Sequence, residues 1–318
     1  MRGLWIENGR VDFRSDLTPP APSDECRVRV HLAGICSTDL ALARGYMSFT
    51  GVPGHEFVGV AIDGPLAGQR VVGEINAGCG ECDGCRANDP RHCRDRTVLG
   101  ILGRPGCFAE ELSLPVVNLL PVPESIDDVS AVFTEPLAAA FEILEQTFVA
   151  PGLRALVAGD GRLGLLCAHV LARAGATVTI AGRHAERGAF VPAAEHRTGL
   201  LEPNSRAGRG EYDLAIEATG DASVLPRLVP HVRPRGTIVL KSTTEKSTTI
   251  DVAPIVVDEI TLIGSRCGRF APALEELARG ELDLHGWVDG HYSLEQGPKA
   301  VARAGSRGVL KVLIDPRT

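Results

Sequence analysis

The sequence has no long apolar segment and no excess of positive charge. None of its apolar runs approaches the roughly 18 residues that a transmembrane helix needs, so we expect no membrane partner. The net charge is −7, which argues against a protein that binds nucleic acid through its phosphates. The first seven residues lack the apolar core of a signal peptide, so we expect a cytoplasmic protein.

The composition is that of a globular protein. The chain has 318 residues, of which 44% are hydrophobic and 23% are charged, and this length suits two domains. It also has nine cysteines. In a cytoplasmic chain, cysteines point to metal binding or catalysis before disulfides.

A glycine-rich stretch lies at the centre of the sequence, Gly159-Asp160-Gly161-Arg162-Leu163-Gly164. It follows the apolar run 154–158, opens an apolar helical pattern over 163–174, and is followed by a second apolar run over 176–181. The order strand, G-x-G-x-x-G, helix, strand predicts a βαβ unit that binds a dinucleotide, with the pyrophosphate at the helix N-terminus. The alternative is a strand-to-helix turn that binds no cofactor.

Two groups of metal-binding residue types precede this unit. The first combines Cys36 with the adjacent pair His55 and Glu56. A thiolate, an imidazole and a carboxylate form a mixed donor set that suits a catalytic zinc ion. The alternative is that Cys36 and His55 are ordinary core residues.

The second group consists of four cysteines in one short loop, Cys79, Cys82, Cys85 and Cys93. Four thiolates can close a tetrahedral structural zinc site. An iron–sulfur cluster is the rival interpretation, but bacterial ferredoxins have a shorter last gap and a proline after the final cysteine. Here seven residues separate the last two cysteines and Arg94 follows, which favours zinc.

These motifs together resemble the zinc-dependent medium-chain dehydrogenase/reductase family, which includes alcohol, polyol and threonine dehydrogenases. The resemblance rests on Cys36-Ser37-Thr38-Asp39, on Gly54-His55-Glu56 and on the later βαβ unit, and it covers nearly the whole chain. It implies a GroES-like irregular β-barrel catalytic domain, over 1–134 and 267–318, with the structural zinc lobe at 79–93. It also implies a doubly wound Rossmann domain over 135–266.

The resemblance also implies roles for individual residues. Glu135, in a Glu-Pro-Leu context typical of polyol and threonine dehydrogenases, would be the third protein ligand of the catalytic zinc, with Glu56 as the alternative. We predict that Glu135 sits at the entrance of a helix that begins at Pro136, because a residue before proline avoids the helical region. Thr38 would pass on the substrate proton, whereas Ala41 stands where many relatives have a group that ends this proton relay.

The choice between NADP and NAD depends on the end of the second strand of the βαβ unit. NAD enzymes usually carry an acidic residue there, which binds the ribose hydroxyls. This chain has Arg183 and His184 instead, and an arginine can hold a 2′-phosphate, so we expect NADP to be preferred. Thr219, in a segment that matches the family, is a further candidate for cofactor binding.

The resulting hypothesis is an oxidoreductase with two zinc ions per chain that transfers a hydride between a secondary alcohol or polyol and NADP or NAD. The resemblance further implies a homodimer or homotetramer. Two alternatives stay open. One is an NAD-dependent biosynthetic dehydrogenase with a larger hydroxyl substrate, and the other is a non-catalytic member that keeps only the fold and nucleotide binding.

Overall fold

The computed structural model describes residues 1–21, 24–202, 209–244 and 246–318. The chain divides into two compact units: Met1–Glu135 with Arg269–Thr318 form unit 1, and Pro136–Gly268 form unit 2. Among the described residues, no helix is long and apolar enough to cross a membrane.

Strands dominate residues 1–127, and strands and α-helices alternate over most of the rest of the chain. The strands are β1 (Gly3–Glu7), β2 (Arg10–Arg14), β3 (Cys26–Gly34), β4 (Glu56–Ala61), β5 (Arg70–Gly73), β6 (Asn76–Ala77), β7 (Thr97–Leu99), β8 (Gly103–Arg104), β9 (Glu111–Leu114), β10 (Leu119–Pro121), β11 (Arg154–Ala158), β12 (Thr177–Gly182), β13 (Ala194–Thr198), β14 (Tyr212–Glu217), β15 (Val232–Leu240), β16 (Thr261–Gly264), β17 (Val288–Ser293) and β18 (Lys311–Asp315). The α-helices are α1 (Ser37–Leu42), α2 (Asp83–Arg86), α3 (Asp128–Val132), α4 (Thr134–Gln146), α5 (Arg162–Arg173), α6 (Leu225–Leu228), α7 (Ala253–Val257), α8 (Phe270–Ala278) and α9 (Gly297–Ala304).

Unit 1 is built on a mixed sheet. Within the described residues this sheet has seven strands in the order β10-β5-β4-β3-β18-β17, with β9 also paired to β3. Its pairings are antiparallel, except that β17 and β18 run parallel. The strand predicted from the alternation over 27–32 is confirmed as β3, whose Val28, Val30 and Leu32 are buried. The closing strand β18 brings the C-terminal segment beside β3.

Unit 2 contains the predicted βαβ unit. In the part of the chain that the structure describes, six parallel strands form one sheet in the order β13-β12-β11-β14-β15-β16. From β11 the chain adds β12 and β13 toward one edge of the sheet, and from β14 it adds β15 and β16 toward the other edge. The switch point of this doubly wound sheet therefore lies between β11 and β14. Leu156, Ala215 and Ile238 are fully buried on neighbouring strands. The strand β13 was not predicted, because an edge strand of polar residues such as Ala194–Thr198 pairs through its backbone and carries no apolar signal.

The predicted start of α4 is wrong by two residues. The helix begins at Thr134, so Glu135 lies inside its first turn rather than outside it. Pro136 does not prevent this, because the first backbone N–H groups of a helix have no intrahelical partner and a proline there sacrifices no hydrogen bond. The conformational preference of a residue before proline is a tendency that the local packing overrides here.

Candidate active site and cofactor site

Cys36 is positioned by the start of α1. It is the N-cap residue, with an extended backbone, and its N–H donates to Asp39 Oδ2 over 2.8 Å. This reciprocal capping arrangement fixes the Cys36 thiol at the N-terminus of α1. Thr38 lies in the first turn of α1, and its Oγ1 is 3.8 Å from Cys36 Sγ. The hydroxyl predicted to handle a proton is therefore next to the predicted zinc thiolate.

Asp39 also orients His55. Its Oδ1 lies 3.3 Å from His55 Nδ1, and the two side chains are only 1% and 3% exposed. Burial alone lowers the pKa of His55, but the carboxylate of Asp39 and the thiol of Cys36 outweigh it and raise the pKa well above its usual range. Carboxylates hold metal-binding histidines in this way. The sequence prediction gave Asp39 no role, although its position three residues after the N-cap Cys36 is the spacing of a capping box.

Glu56 follows His55 at the start of β4 and is held by a lysine from the other end of the chain. Lys311 Nζ donates to Glu56 Oε2, and both side chains are fully buried. The ammonium also lies 4.9 Å from the centre of the Phe133 ring. Burial lowers the pKa of Lys311 to about 7. Gly34 makes room for this pair, because a Cβ there would be 2.7 Å from both the Glu56 and the Lys311 polar atoms.

Cys36, His55 and Glu56 form one compact donor group. Each offers a ligand atom, and these atoms all lie within 4.8 Å of one another. The three donor types are those that zinc takes in proteins, and Asp39 holds the imidazole in place, so the residues present fit a zinc ion. Glu135 does not belong to this group. Its role as a zinc ligand stays a prediction.

The four cysteines of the loop also come together. The Sγ atoms of Cys79, Cys82, Cys85 and Cys93 lie within 4.8 Å of one another, around the short helix α2. The N–H groups of Glu81 and Cys82 lower the pKa of Cys79 to about 7. The backbone of Gly80 acts in the same direction on Cys85, but desolvation and hydrogen bonds with the other thiols outweigh it and raise the pKa of Cys85 to about 11. Four thiolates at this distance need a cation to share, and a tetrahedral zinc ion meets this need.

The three glycines of the central motif each meet a different constraint. Gly159 has a φ of +110°, and a Cβ there would be 2.7 Å from the carbonyl of Ala218. Gly161 is the N-cap of α5 and faces open space. A Cβ on Gly164 would overlap the carbonyl of Gly159. The turn, the open approach and the close helix contact are the three features expected of a dinucleotide loop.

The other predicted cofactor residues lie around this loop. Arg162 and Leu163 are the first two residues of α5, directly after the N-cap Gly161. Thr219 follows β14 and donates both its N–H and its hydroxyl to Glu217. Among the described contacts, the Arg183 side chain has no hydrogen bond or ion pair, and it is exposed at the end of β12.

Asp160 and His184 are in direct contact. Asp160 Oδ2 accepts the backbone N–H groups of Arg183 and His184 over 2.7 Å each, and His184 Nδ1 lies 3.2 Å from both carboxylate oxygens. Burial opposes ionisation, but these contacts prevail and hold the pKa of Asp160 below its usual range. The sequence prediction assigned Asp160 to the cofactor loop without foreseeing this contact with the end of β12.

Comparison with known proteins agrees with this geometry. The family described as alcohol dehydrogenase GroES-like domain matches residues 22–124. The L-threonine 3-dehydrogenase of Streptomyces coelicolor is 30% identical to this chain over 339 residues, which cover 98% of this chain and 96% of that enzyme. The chain belongs to the zinc-dependent medium-chain dehydrogenase/reductase family.

Solved structures of similar proteins extend over the same length. A protein of Sinorhizobium meliloti 1021, bound to NADP, superposes with a TM-score of 0.87 and 26% identity, covering 99% of both chains. An alcohol dehydrogenase of Escherichia coli CFT073, complexed with NADH, superposes with a TM-score of 0.88 and 27% identity, again over 99% of both chains. The predicted fold class, a GroES-like domain with a Rossmann domain, is confirmed for this member of the family.

Proposed function

We propose that this family member is a zinc-dependent oxidoreductase that transfers a hydride between a secondary alcohol or polyol and NADP, with NAD as the weaker cofactor. The observation that carries the proposal is the compact donor group of Cys36, His55 and Glu56, in which His55 and Glu56 are buried. In this proposal unit 1 is the catalytic domain, which also holds a structural zinc at the four-cysteine loop, and unit 2 binds the nucleotide.

The residues of unit 1 divide the work of the reaction. Cys36 and His55 would hold the zinc ion, which would act as a Lewis acid and lower the pKa of the substrate hydroxyl. Asp39 keeps the imidazole of His55 aligned, and Lys311 keeps the carboxylate of Glu56 in place. A nicotinamide held by unit 2 would supply the hydride acceptor, so that loss of a hydride from the substrate carbon and of the hydroxyl proton would turn the alcohol into a carbonyl compound.

The proton leaves by way of Thr38 in this proposal. Its hydroxyl is adjacent to Cys36 Sγ and is half-buried, so it can accept a proton from the substrate and donate its own toward solvent. Ala41 offers no titratable group further along α1. Water and a ribose hydroxyl of the cofactor would complete the path.

Glu56 and Glu135 are alternative third ligands. Glu56 lies within the donor group, but its carboxylate also accepts a hydrogen bond from Lys311. We therefore favour Glu135 as the third zinc ligand and assign Glu56 an auxiliary role beside it. Zinc content after dialysis of Glu56→Ala and Glu135→Ala separates the two, because only loss of the true ligand should release the metal from the Cys36 and His55 site.

NADP preference is proposed from Arg183. Its guanidinium is exposed and unpaired in the described structure, at the strand end where NAD enzymes usually carry an acid. A charge-assisted contact with a phosphate is worth about 1.5–3 kcal/mol, or roughly a tenfold to hundredfold preference. Arg183→Ala should raise KM for NADP far more than for NAD at similar kcat, while Arg154→Ala, at the opposite end of β11, should alter neither.

An alcohol and aldehyde screen with both cofactors tests the activity directly. We expect the protein to oxidise secondary alcohols or polyols, and to do so faster with NADP than with NAD at subsaturating cofactor. Cys36→Ala should abolish this activity. If the folded, zinc-loaded protein binds dinucleotide but neither oxidises alcohols nor reduces carbonyls, it is a non-catalytic member of the family. A wild type that prefers NAD would favour the NAD-dependent alternative.

We also propose a homodimer or homotetramer in the cytoplasm. Leu262 on the edge strand β16 is exposed. In α7, which precedes β16 in the sequence, Val256 and Val257 are 72% and 78% exposed. Such an apolar edge suits pairing with a second copy of the chain. All nine cysteines are free, which suits a reducing compartment. Light scattering of the purified protein checks the oligomer, and a monomeric mass would contradict it.

A further inference from the structure

The carboxylate of Asp160 ties the glycine loop to the turn after β12. The residue is 5% exposed, and its Oδ2 accepts the N–H groups of both Arg183 and His184 over 2.7 Å. One side chain therefore fixes the backbone direction of two consecutive residues. The exposed guanidinium of Arg183 projects from the backbone that Asp160 holds.

Gly182 shows that the turn is built around this carboxylate. A Cβ at Gly182 would overlap Asp160 Oδ2, so no other residue fits there while Asp160 keeps its place. Asp160 thus fills the space at the end of β12, where an acid that reads ribose hydroxyls usually lies. Its own oxygens are committed to protein donors, which leaves it a poor acceptor for those hydroxyls.

Two further basic side chains lie beside Asp160. Arg187 donates to the backbone carbonyl of Asp160 over 2.6 Å, and the same Nη1 lies 3.5 Å from Oδ1. His196 Nε2 lies 3.4 Å from Oδ2, its side chain is 6% exposed, and neither of its ring nitrogens has a hydrogen bond within the described structure. Because Arg187 balances the carboxylate, the charge of Arg183 is left for an anion.

We propose that Asp160 is a positioning residue for recognition of the 2′-phosphate of NADP, because it holds the Gly182–His184 turn so that Arg183 faces that phosphate. The proposal rests on the proposed function in two respects: unit 2 binds a dinucleotide, and Arg183 recognises the 2′-phosphate of NADP. The proposal assigns cofactor specificity to the contact between the glycine loop and the Gly182–His184 turn, rather than to Arg183 alone. Asp160 itself does not touch the phosphate.

Direct binding of NADP and NAD to the purified protein tests this, since it needs neither turnover nor a loaded zinc site. Asp160→Ala should lower the ratio of NADP to NAD affinity by about tenfold. The double variant with Arg183→Ala should lose no more than Arg183→Ala alone, because the two residues act as one unit. Asp160→Asn, which keeps an acceptor oxygen for the two N–H groups, should retain most of the preference.

Gly182→Ala provides a second route if Asp160→Ala does not fold. Its Cβ should displace the carboxylate without removing it, and the same selective loss of NADP binding is expected. Tighter NADP binding by Asp160→Ala would show that the carboxylate only repels the phosphate. Equal losses for NAD and NADP in Asp160→Ala and Gly182→Ala, or additive losses with Arg183→Ala, would also overturn the proposal.

These outcomes are distinct from failure of the proposed function. A wild type that binds neither dinucleotide, or that binds both without preferring NADP, contradicts the proposed nucleotide recognition by unit 2 and the proposal with it. A wild type that binds NADP and oxidises alcohols, while its Asp160 variants keep the full NADP preference, contradicts only the role of Asp160.

Discussion

The two metal-donor groups of unit 1 are built in opposite ways. The four-cysteine loop takes all its donors from the single stretch 79–93, and Cys79 is exposed while Cys93 is buried. The mixed group takes its donors from two separated elements, the start of α1 and the start of β4, and its His55 and Glu56 are both buried. One group lies in a loop with little core of its own, and the other lies on the main sheet.

This difference implies different roles for the metal. Apart from its thiols, the loop is held by the short helix α2 and by local contacts such as the ion pair of Arg91 and Asp89. In the mixed group, Asp39 and Lys311 also contact His55 and Glu56, so the arrangement of these donors does not rest on a metal alone. We therefore expect the loop to depend on its zinc for structure, and the mixed group to depend on its zinc for chemistry.

Loss of a thiolate from the loop should have the largest effect on folding. Structural zinc contributes about 10–16 kcal/mol in small zinc-binding peptides, so Cys82→Ser should cost several kcal/mol of unfolding free energy or prevent folding. Urea unfolding and zinc content check this. Cys26→Ser is the control, because that buried thiol lies outside both groups and serine can still donate to the Asp63 carbonyl. A Cys82→Ser variant that is stable, retains its zinc and has lost only turnover would contradict the structural role of the four-cysteine loop.

Removal of a donor from the mixed group should abolish turnover instead. Cys36→Ala and His55→Ala should each lose one zinc and lower kcat by more than about 10³-fold, equivalent to roughly 4 kcal/mol of the barrier. Nucleotide binding should be nearly unchanged, since the glycine loop belongs to unit 2. Steady-state kinetics and dinucleotide titration check both statements, with Cys26→Ala as the control. Full activity of Cys36→Ala contradicts the mechanism.

The buried pair of Glu56 and Lys311 should matter for stability. Lys311→Met removes the ammonium that the buried Glu56 carboxylate contacts, which costs about 3 kcal/mol. The double variant with Glu56→Gln should recover most of that loss, because a neutral amide beside the methionine replaces the buried carboxylate. Unfolding free energies of the two single variants and the double variant form the test. A Lys311→Met variant as stable as the wild type would show that this contact does not hold the mixed group.

An ion pair outside both groups should have the smallest effect. Arg104 donates to both oxygens of Glu25 over 2.6 and 2.7 Å, and this contact lowers the pKa of Glu25. Glu25→Gln should cost about 1 kcal/mol at pH 7, since the pair is partly exposed. Because the folded-state pKa is depressed, the wild-type advantage is present above the usual glutamate pKa and fades as the pH falls through the folded-state value. Thermal unfolding of both proteins across acidic pH checks this, and a constant difference would contradict it.

The sequence predicts much of this architecture because its signals are local. The glycine spacing around Gly161, the four-cysteine loop and the pair His55-Glu56 are each read from neighbouring residues, and the structure brings each set together. Regular apolar runs likewise located β11, β12 and β14. Polar edge strands such as β13 carry no such signal.

The contacts that position the side chains are long-range, and the sequence did not reveal them. Lys311 lies 255 positions from Glu56, and the only local sign of the contact is that this lysine stands within the apolar run 309–314. Asp160 was assigned to the loop for its backbone, whereas its carboxylate organises a turn more than twenty residues away. Pairing across strands is set by tertiary packing, which a periodic pattern does not specify.

Stepwise removal of zinc tests most directly whether the two groups have different roles. The measurement follows zinc content, turnover and thermal unfolding of the wild type as chelator is increased. We predict two zinc ions per chain, with activity lost as the first is removed at nearly constant unfolding temperature, and a large fall in that temperature when the second is removed. A single zinc ion per chain, or activity and thermal stability that decline together throughout, would contradict the account.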